Sequence, residues 1–472
     1  MPSWETLYRN AYERGVVRIQ SLKGVACAFH SVLDGLIRLT PDWLHSLLNA
    51  NPSLKQAALK GCGGDIPLEI MSPKDFIQGL FSSLAKGAAL QRMIRSEATY
   101  RWALETFGPG QLRLGGTSGN MARSLSPLGI PVTVYANPLT RELAELFGDD
   151  ESLSVIVKEN EEFVLRRPKQ AARESGVFAI HWIMEYSADF SMELDGVIIR
   201  PGRANRYIPS WNPRNNQFRM SEEFAEGFLS LIDSYSHLLF SGFHILSEQY
   251  PDGSTCADVV RPLGDYLLQV RKKASRLRIH LEFASIASPK VRGAVLEHIV
   301  PNVHSLGCNE TELPLLIDSL GGAPLAEKLR VQPSAMDFCW ALALVLRETG
   351  LERIHFHNLG YYLCMEKSPW TSASSSRDAL LLSAIMAAAR AKNGLFSRLG
   401  DIEAGLSESI GKAGLEQLQL LAERWEQPSI REEGLGTCEG FVLSAIPAKV
   451  VKNPLFTVGL GDTISAGAFL TA

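Results

Sequence analysis

The stretch NPLFTVGLGDTISAGAFL (453–470) holds a single acid, Asp462, at the end of a glycine-rich turn. An apolar strand over Leu455 to Val458 is expected to run through Gly459-Leu460-Gly461 into a helix of small residues starting near Thr463. Glycines at such a turn let an anion approach the backbone, and the first amide N–H groups of a helix have no partner within it. A carboxylate placed there can take a proton from a hydroxyl while the amides hold phosphoryl oxygens, the two things phosphoryl transfer asks of a protein. An Asp before a helix is equally often a plain N-cap, so the local pattern leaves both readings open.

A second group is His280-Leu281-Glu282 with Asn309-Glu310-Thr311-Glu312. His280 and Glu282 alternate along an expected strand and share one face. Glu282 falls near the carboxyl end of that strand, where α/β proteins bind ligands. Asn309 and Glu312, three apart at a helix start, point the same way. Their carboxylates suit a magnesium ion, held directly or through its waters beside a diphosphate. For Glu312 a solvated helix-start glutamate is the commoner reading. Glu282, inside an apolar run, needs a partner.

Two more places invite a ligand. Gly115-Gly116-Thr117-Ser118-Gly119-Asn120 precedes a helix of small residues and fits either close backbone approach to a ligand or tight packing of helix on sheet. Asp34 follows the apolar run VACAF (25–29) and precedes a glycine. It can accept two sugar hydroxyls or simply form a turn.

The elements that must position these residues follow from the patterning. Apolar runs at 25–29, 130–136, 237–243, 278–284 and 353–359 alternate with helical stretches such as 256–276, which predicts a mostly parallel sheet covered by helices. From Ile180 to Ile208 the chain instead reads as short antiparallel strands with turns at Asp195-Gly196 and Pro201-Gly202, forming a lid over the strand ends. GLIRLT (35–40) adds another strand to it. The run Ala379 to Ala389, between Asp378 and Arg390, is too short to cross a bilayer and predicts a buried helix. The serine- and glycine-rich stretches 368–377 and 432–437 read as surface loops.

Bulk properties narrow the class. With 472 residues, one large domain and a smaller one are expected. The 47 basic and 51 acidic residues leave a net charge of −4, which gives no electrostatic footprint for nucleic acid or an anionic membrane. Seven scattered cysteines without metal-binding spacing predict buried, reduced thiols, and the polar start MPSWETLYRNAYERG is no secretory signal, so a cytoplasmic protein is expected.

In chain order, LGGTSGNMA, PVTVYANPL, HWIMEY with RANRYI, LFSGFHIL, HLEFAS, SLGCNETEL, RIHFHNLGYYL and PLFTVGLGDTISAGAF resemble the ADP-dependent glucokinase and phosphofructokinase family of the ribokinase-like superfamily, over nearly the whole chain. The resemblance implies a three-layer α/β sandwich with a mostly parallel central sheet and a smaller β-rich lid. It places a large nucleotide-binding domain at 1–33, 106–177 and 212–472 and a lid and substrate domain at 34–105 and 178–211. Asp462 would be the base, with Gly459 and Gly461 in the anion hole. Glu282, Glu312 and Asp462 would organise magnesium. ADP would be the donor, its β-phosphate moving and AMP leaving. Sugar contacts would come from Asp34, Gln91, Gly115, Gly116, His181, Arg203 and Arg206, and nucleotide contacts from Asn309, His357, Val450 and Gly461. A monomer that binds only these small molecules is expected.

The chain departs from the family pattern at three places. Phe29-His30-Ser31-Val32-Leu33 stands where the family carries asparagines, Gln91 where its glucokinases carry a glutamate, and Ser187 where a phosphofructokinase has a lysine. His181 favours glucose slightly over fructose 6-phosphate. Another sugar phosphate, a nucleoside, or an inactive sugar or nucleotide sensor are the alternatives.

Overall fold

The parallel strands at the middle of the protein are apolar on both faces because helices cover both. Gly24–Ala28, Tyr235–Phe240, Arg278–Glu282, Ser305–Asn309 and Arg353–His357 pair in parallel, flanked on the other side by Val132–Val134 and Leu153–Glu159. In this computed structural model the described residues are 3–176, 179–218 and 220–472, and the expected domain junction at 177/178 lies outside them. The sheet has eleven strands. Its edges are antiparallel: Tyr361–Glu366, Phe441–Pro447 and Leu435–Cys438 on one side, Glu162–Arg166 on the other. One helical layer includes Cys256–Lys273, Pro289–His298 and Ala335–Thr349, whose apolar faces share a core with the sheet. The other includes Trp4–Ser21, Ala373–Asn393 and the terminal helix Leu460–Leu470. This is the three-layer α/β sandwich expected from the sequence.

A separate five-stranded sheet forms the lid, in the order Leu90–Met93, Asn205–Trp211, Ile180–Tyr186, Val32–Arg38 and Gln111–Gly115. Val32–Arg38 pairs in parallel with Ile180–Tyr186, which sets Asp34 beside His181. Asp34 therefore lies within a strand, and the turn-forming reading does not hold.

Three local expectations need correcting. Leu455 to Val458 is not a strand; it crosses the site as an exposed loop, Leu455 being 73% exposed, and is held by Leu455 N donating to Ala391 O at 2.8 Å. The terminal helix begins at Leu460 with Gly459 as its cap at φ 73°, so Asp462 sits inside the first turn and is no N-cap. The serine-rich stretch is the start of a helix rather than a loop: Ser372 caps Ala373–Asn393, its side chain accepting from Ser375 N. Similarly 432–437 contributes to the edge strand Leu435–Cys438. Short hydroxyl side chains favour helix starts and turns alike, which is why composition alone misplaced them.

All seven cysteines are unpaired. No helix among the described residues is long and apolar enough to cross a membrane.

Candidate active site

The carboxyl ends of the parallel strands and the start of the terminal helix converge on one cleft under the lid. Gly459 turns with a positive φ that glycine adopts at no steric cost. The amides of Leu460, Gly461 and Asp462 precede any acceptor in their own helix, whereas Thr463 N donates back to Gly459 O at 3.2 Å. Asp462 hangs from this turn. Burial and the nearby Glu282 push its carboxyl up to about 7, against Arg390 and a hydrogen bond from Asn120 that pull it down. A carboxylate tuned to that range, next to free amides, is suited to accept a proton from a hydroxyl at neutral pH.

Facing it is a pocket of about 170 Å³ lined by Asp34, Gln91, Gly116, His181, Arg206 and Asp462, together with His30, Asn120 and His244. Asp34 is buried, and burial with repulsion from Asp462 raises its carboxyl to about 7, partly offset by Arg206. His181 Nδ1 lies 3.9 Å from Asp34 Oδ1, and burial drives this imidazole down to about 3, so the two do not form an ion pair at neutral pH. His30 is wedged between His181 and His244, with ring centroids 5.1 and 4.9 Å away. Among the described residues, both nitrogens of His30, Nε2 of His181 and Nδ1 of His244 are buried without hydrogen-bond partners. Neutral imidazoles in that state offer donors and acceptors to a polyol.

The glycine motif packs closely and also borders the pocket, Gly116 and Asn120 being part of its lining. A β-carbon at Gly116 would run into the His30 carbonyl, and the amides of Ser118 and Gly119 donate to His30 O at 3.0 and 3.3 Å. Gly115 leaves room for the Asp34 carboxylate. The two lid arginines separate: Arg206 lines the pocket, while Arg203 Nε is held by Gly87 O at 2.8 Å. Gln91 is exposed, its amide reaching Ser210 Oγ at 3.4 Å.

Glu282 and Glu312 are both buried, which excludes the solvated reading of Glu312. Burial raises both carboxyls, and Glu282 with Asp462 raises Glu312 further. Glu312 Oε2 accepts from Asn309 N at 3.0 Å, and Asn309 Oδ1 accepts from Thr311 N and Glu312 N, so Asn309 is tied into its own helix start. Glu282 Oε2 has no hydrogen-bond partner; His280 Nε2, also unpartnered, stands 3.6 Å away. Among the described residues His280, Glu282 and His355 offer ligating atoms all within 4.8 Å of one another, a spacing the expected trio Glu282, Glu312 and Asp462 does not meet. An orphaned buried oxygen amid mutually repelling carboxylates fits a hard divalent cation. Gly307 makes the arrangement possible, since a β-carbon there would meet Glu282 Oε2 and lie 2.7 Å from His355 Nε2.

Further along the strand ends is an open hollow of about 660 Å³, lined by Pro314, Leu329, Phe338, Asn358, Leu359, Gly360 and Tyr361 among others. Residues 358–361 follow directly on His357, one of the expected nucleotide contacts. His357 lies elsewhere: buried, with Nε2 3.1 Å from where a β-carbon of Gly461 would stand, it backs the phosphoryl turn. Val450 is not among the residues that line either cavity; it lies on a short strand paired with Ser409, its side chain beside Gly411.

His244 and Arg390 were not singled out as site residues from the sequence; Asn120 entered only within the glycine motif and His30 only within a departure from the family pattern. His30 and His244 lie two and four residues beyond the ends of the parallel strands Gly24–Ala28 and Tyr235–Phe240, and that position was the available signal.

Residues 23–471 match the conserved region of ADP-specific phosphofructokinases and glucokinases. The chain is 30% identical to an ADP-specific phosphofructokinase of Methanosarcina acetivorans, over 99% of this chain and 96% of that one. It is 31% identical to an ADP-dependent glucose/glucosamine kinase of Pyrococcus furiosus, over 100% and 98%. Among solved structures, an ADP-dependent kinase in complex with fructose-6-phosphate and ADPbetaS superposes with a TM-score of 0.85 at 30% identity, covering 100% of this chain and 98% of that one.

Proposed function

The chain belongs to the ADP-specific phosphofructokinase/glucokinase family, and from that membership we propose that it moves the β-phosphate of ADP onto a hydroxyl of a sugar and releases AMP. The observation that carries this is Asp462, with a carboxyl near 7, standing between unpaired helix-start amides and a monosaccharide-sized pocket. Asp462 takes the hydroxyl proton as the sugar oxygen bonds to phosphorus, and the bond from phosphorus to the oxygen of the α-phosphate breaks. The amides of Gly461 and its neighbours receive the charge that develops on the phosphoryl oxygens. Asp34 accepts sugar hydroxyls and orients the acceptor, helped by the neutral imidazoles of His181 and His30.

Magnesium, when bound, neutralises charge on the diphosphate, and Glu282 and Glu312 are the residues to hold it, directly or through its waters. The hollow beside Asn358–Tyr361 is the proposed seat of adenine. Closure of the lid sheet over the cleft excludes water, which would otherwise consume the donor.

For the acceptor we favour glucose over fructose 6-phosphate, because uncharged donors and acceptors dominate the pocket and only one of the two lid arginines reaches it. Arg206 is the observation in favour of the phosphorylated sugar. A panel of sugars tested with ADP and with ATP, following AMP and ADP release, decides both matters. Turnover with ATP alone, or with no sugar, would refute the assignment.

A further inference from the structure

Arg390 interrupts the buried apolar run of the helix Ala373–Asn393 and is only 5% exposed. Its Nη1 donates to Ser124 Oγ and, at 2.7 Å, to Thr463 Oγ1, and its Nη2 reaches Asn120 Oδ1 at 3.5 Å. The guanidinium thus ties the helix Thr117–Leu125 to the first turn of the terminal helix. It also lies directly behind the phosphoryl turn, because a β-carbon at Gly459 would come within 2.7 Å of Nη2.

All three partners are neutral oxygens. Among the described residues no carboxylate oxygen comes within the 4.0 Å of an ion pair. A guanidinium buried without a counter-ion is costly, by several kcal/mol in order of magnitude, and sequences rarely keep one in a core where an apolar residue would serve. Asp462 attracts it from beyond ion-pair distance, and the smaller repulsion from Arg123 works against that attraction. Asp462 supplies only a distant counter-charge, so the close anion that completes the balance is one that comes and goes.

We infer that Arg390 is the fixed counter-charge for the phosphoryl group seated at 459–462, and that its fork aligns the two helix starts that surround that group. Acting from behind the turn, and through the Asn120 that also bonds Asp462, it is a positioning residue. The ligand class is a phosphoryl or diphosphate group. The inference rests on phosphoryl transfer being the reaction of this site.

The test is steady-state kinetics of the full-length enzyme with Arg390→Gln and Arg390→Lys. Arg390→Gln is expected to lower kcat by about 10²-fold, as a misplacement of about 1 Å in a reacting group can, with the sugar KM within about threefold of the parent. Arg390→Lys keeps the charge and loses the fork, so its kcat should fall between the two. Where Arg390→Gln does not fold, Arg390→Lys decides: kcat reduced about tenfold at unchanged sugar KM supports the role. A folded Arg390→Gln or Arg390→Lys whose kcat stays within threefold of the parent overturns it, and so does a loss confined to sugar KM. A parent enzyme that transfers phosphate to no sugar would instead defeat the proposed function.

Discussion

The carboxylate of Asp34 occupies the space in which any residue but glycine at position 115 would place its β-carbon. The two residues sit on neighbouring antiparallel strands of the lid sheet, Asp34 opposite Arg113 and Gly115 one pleat along the same face. Gly115→Ala should therefore push Asp34 off its position. The expected result is a sugar KM raised by about tenfold or more, since a displacement of about 1 Å in a positioning group can cost far more than that. Saturation kinetics with sugar as the varied substrate check it, and an unchanged KM would show that Asp34 does not hold the acceptor.

Asp462→Asn keeps the shape of the turn and its hydrogen-bonding reach but removes the proton acceptor. Turnover should fall by roughly 10²-fold or more, while calorimetry should show sugar affinity altered much less. Near-normal turnover in a folded variant would remove Asp462 from the role of base.

Burial and the field of Glu282 raise the Asp462 carboxyl to about 7, and the base works only when ionised. Activity of the free enzyme, read as kcat/KM for the sugar, should accordingly climb as pH rises from about 5.5 to about 8. Asp34, also near 7 and also needed as an acceptor, steepens the climb. A profile flat down to pH 5 would mean that neither carboxyl is protonated there.

Much of this was legible in the residues. The alternation of apolar runs with helical stretches gave the sandwich, and short alternating segments around 180–208 gave the lid. Asp462 between glycines pointed to the anion turn because glycine and free amides are local properties. What failed locally was the context of each element. Leu455 to Val458 is as apolar as a strand, yet it finds no neighbour to pair with and passes over the cleft as a loop. Asp34 looked like a turn residue because the strand that carries it pairs with partners about 80 and 145 positions away, Arg113 and His181. Glu312 looked solvated since a helix start gives no sign of the layer above it. Arg390 marked only the end of an apolar run; its place behind Gly459 depends on how the helix Ala373–Asn393 packs on the terminal helix, which no spacing reveals.

The cation site yields a prediction that needs no catalysis. Glu282, Glu312 and Asp462 all bind protons more tightly in the folded protein than in the unfolded chain, because burial and mutual repulsion raise their carboxyls. Their contribution to stability is therefore full below about pH 4, the unfolded value, and is lost as pH rises through about 7 to 8. Buried neutral histidines such as His280 and His357 work in the opposite sense, destabilising the fold as pH falls below about 6.5. Only a comparison with and without cation at one pH isolates the carboxylates. Magnesium should raise Tm more at pH 8, where most of the cluster is ionised and self-repelling, than at pH 6, where most of it carries protons. Glu312→Gln removes one charge from the cluster, so it should raise Tm without magnesium at pH 8, shrink the gain from magnesium, and increase the magnesium concentration needed for half-maximal turnover. Thermal unfolding of both proteins across that pH range measures the first two effects. A magnesium gain equal at both pH values and unaffected by the substitution would place the cation elsewhere.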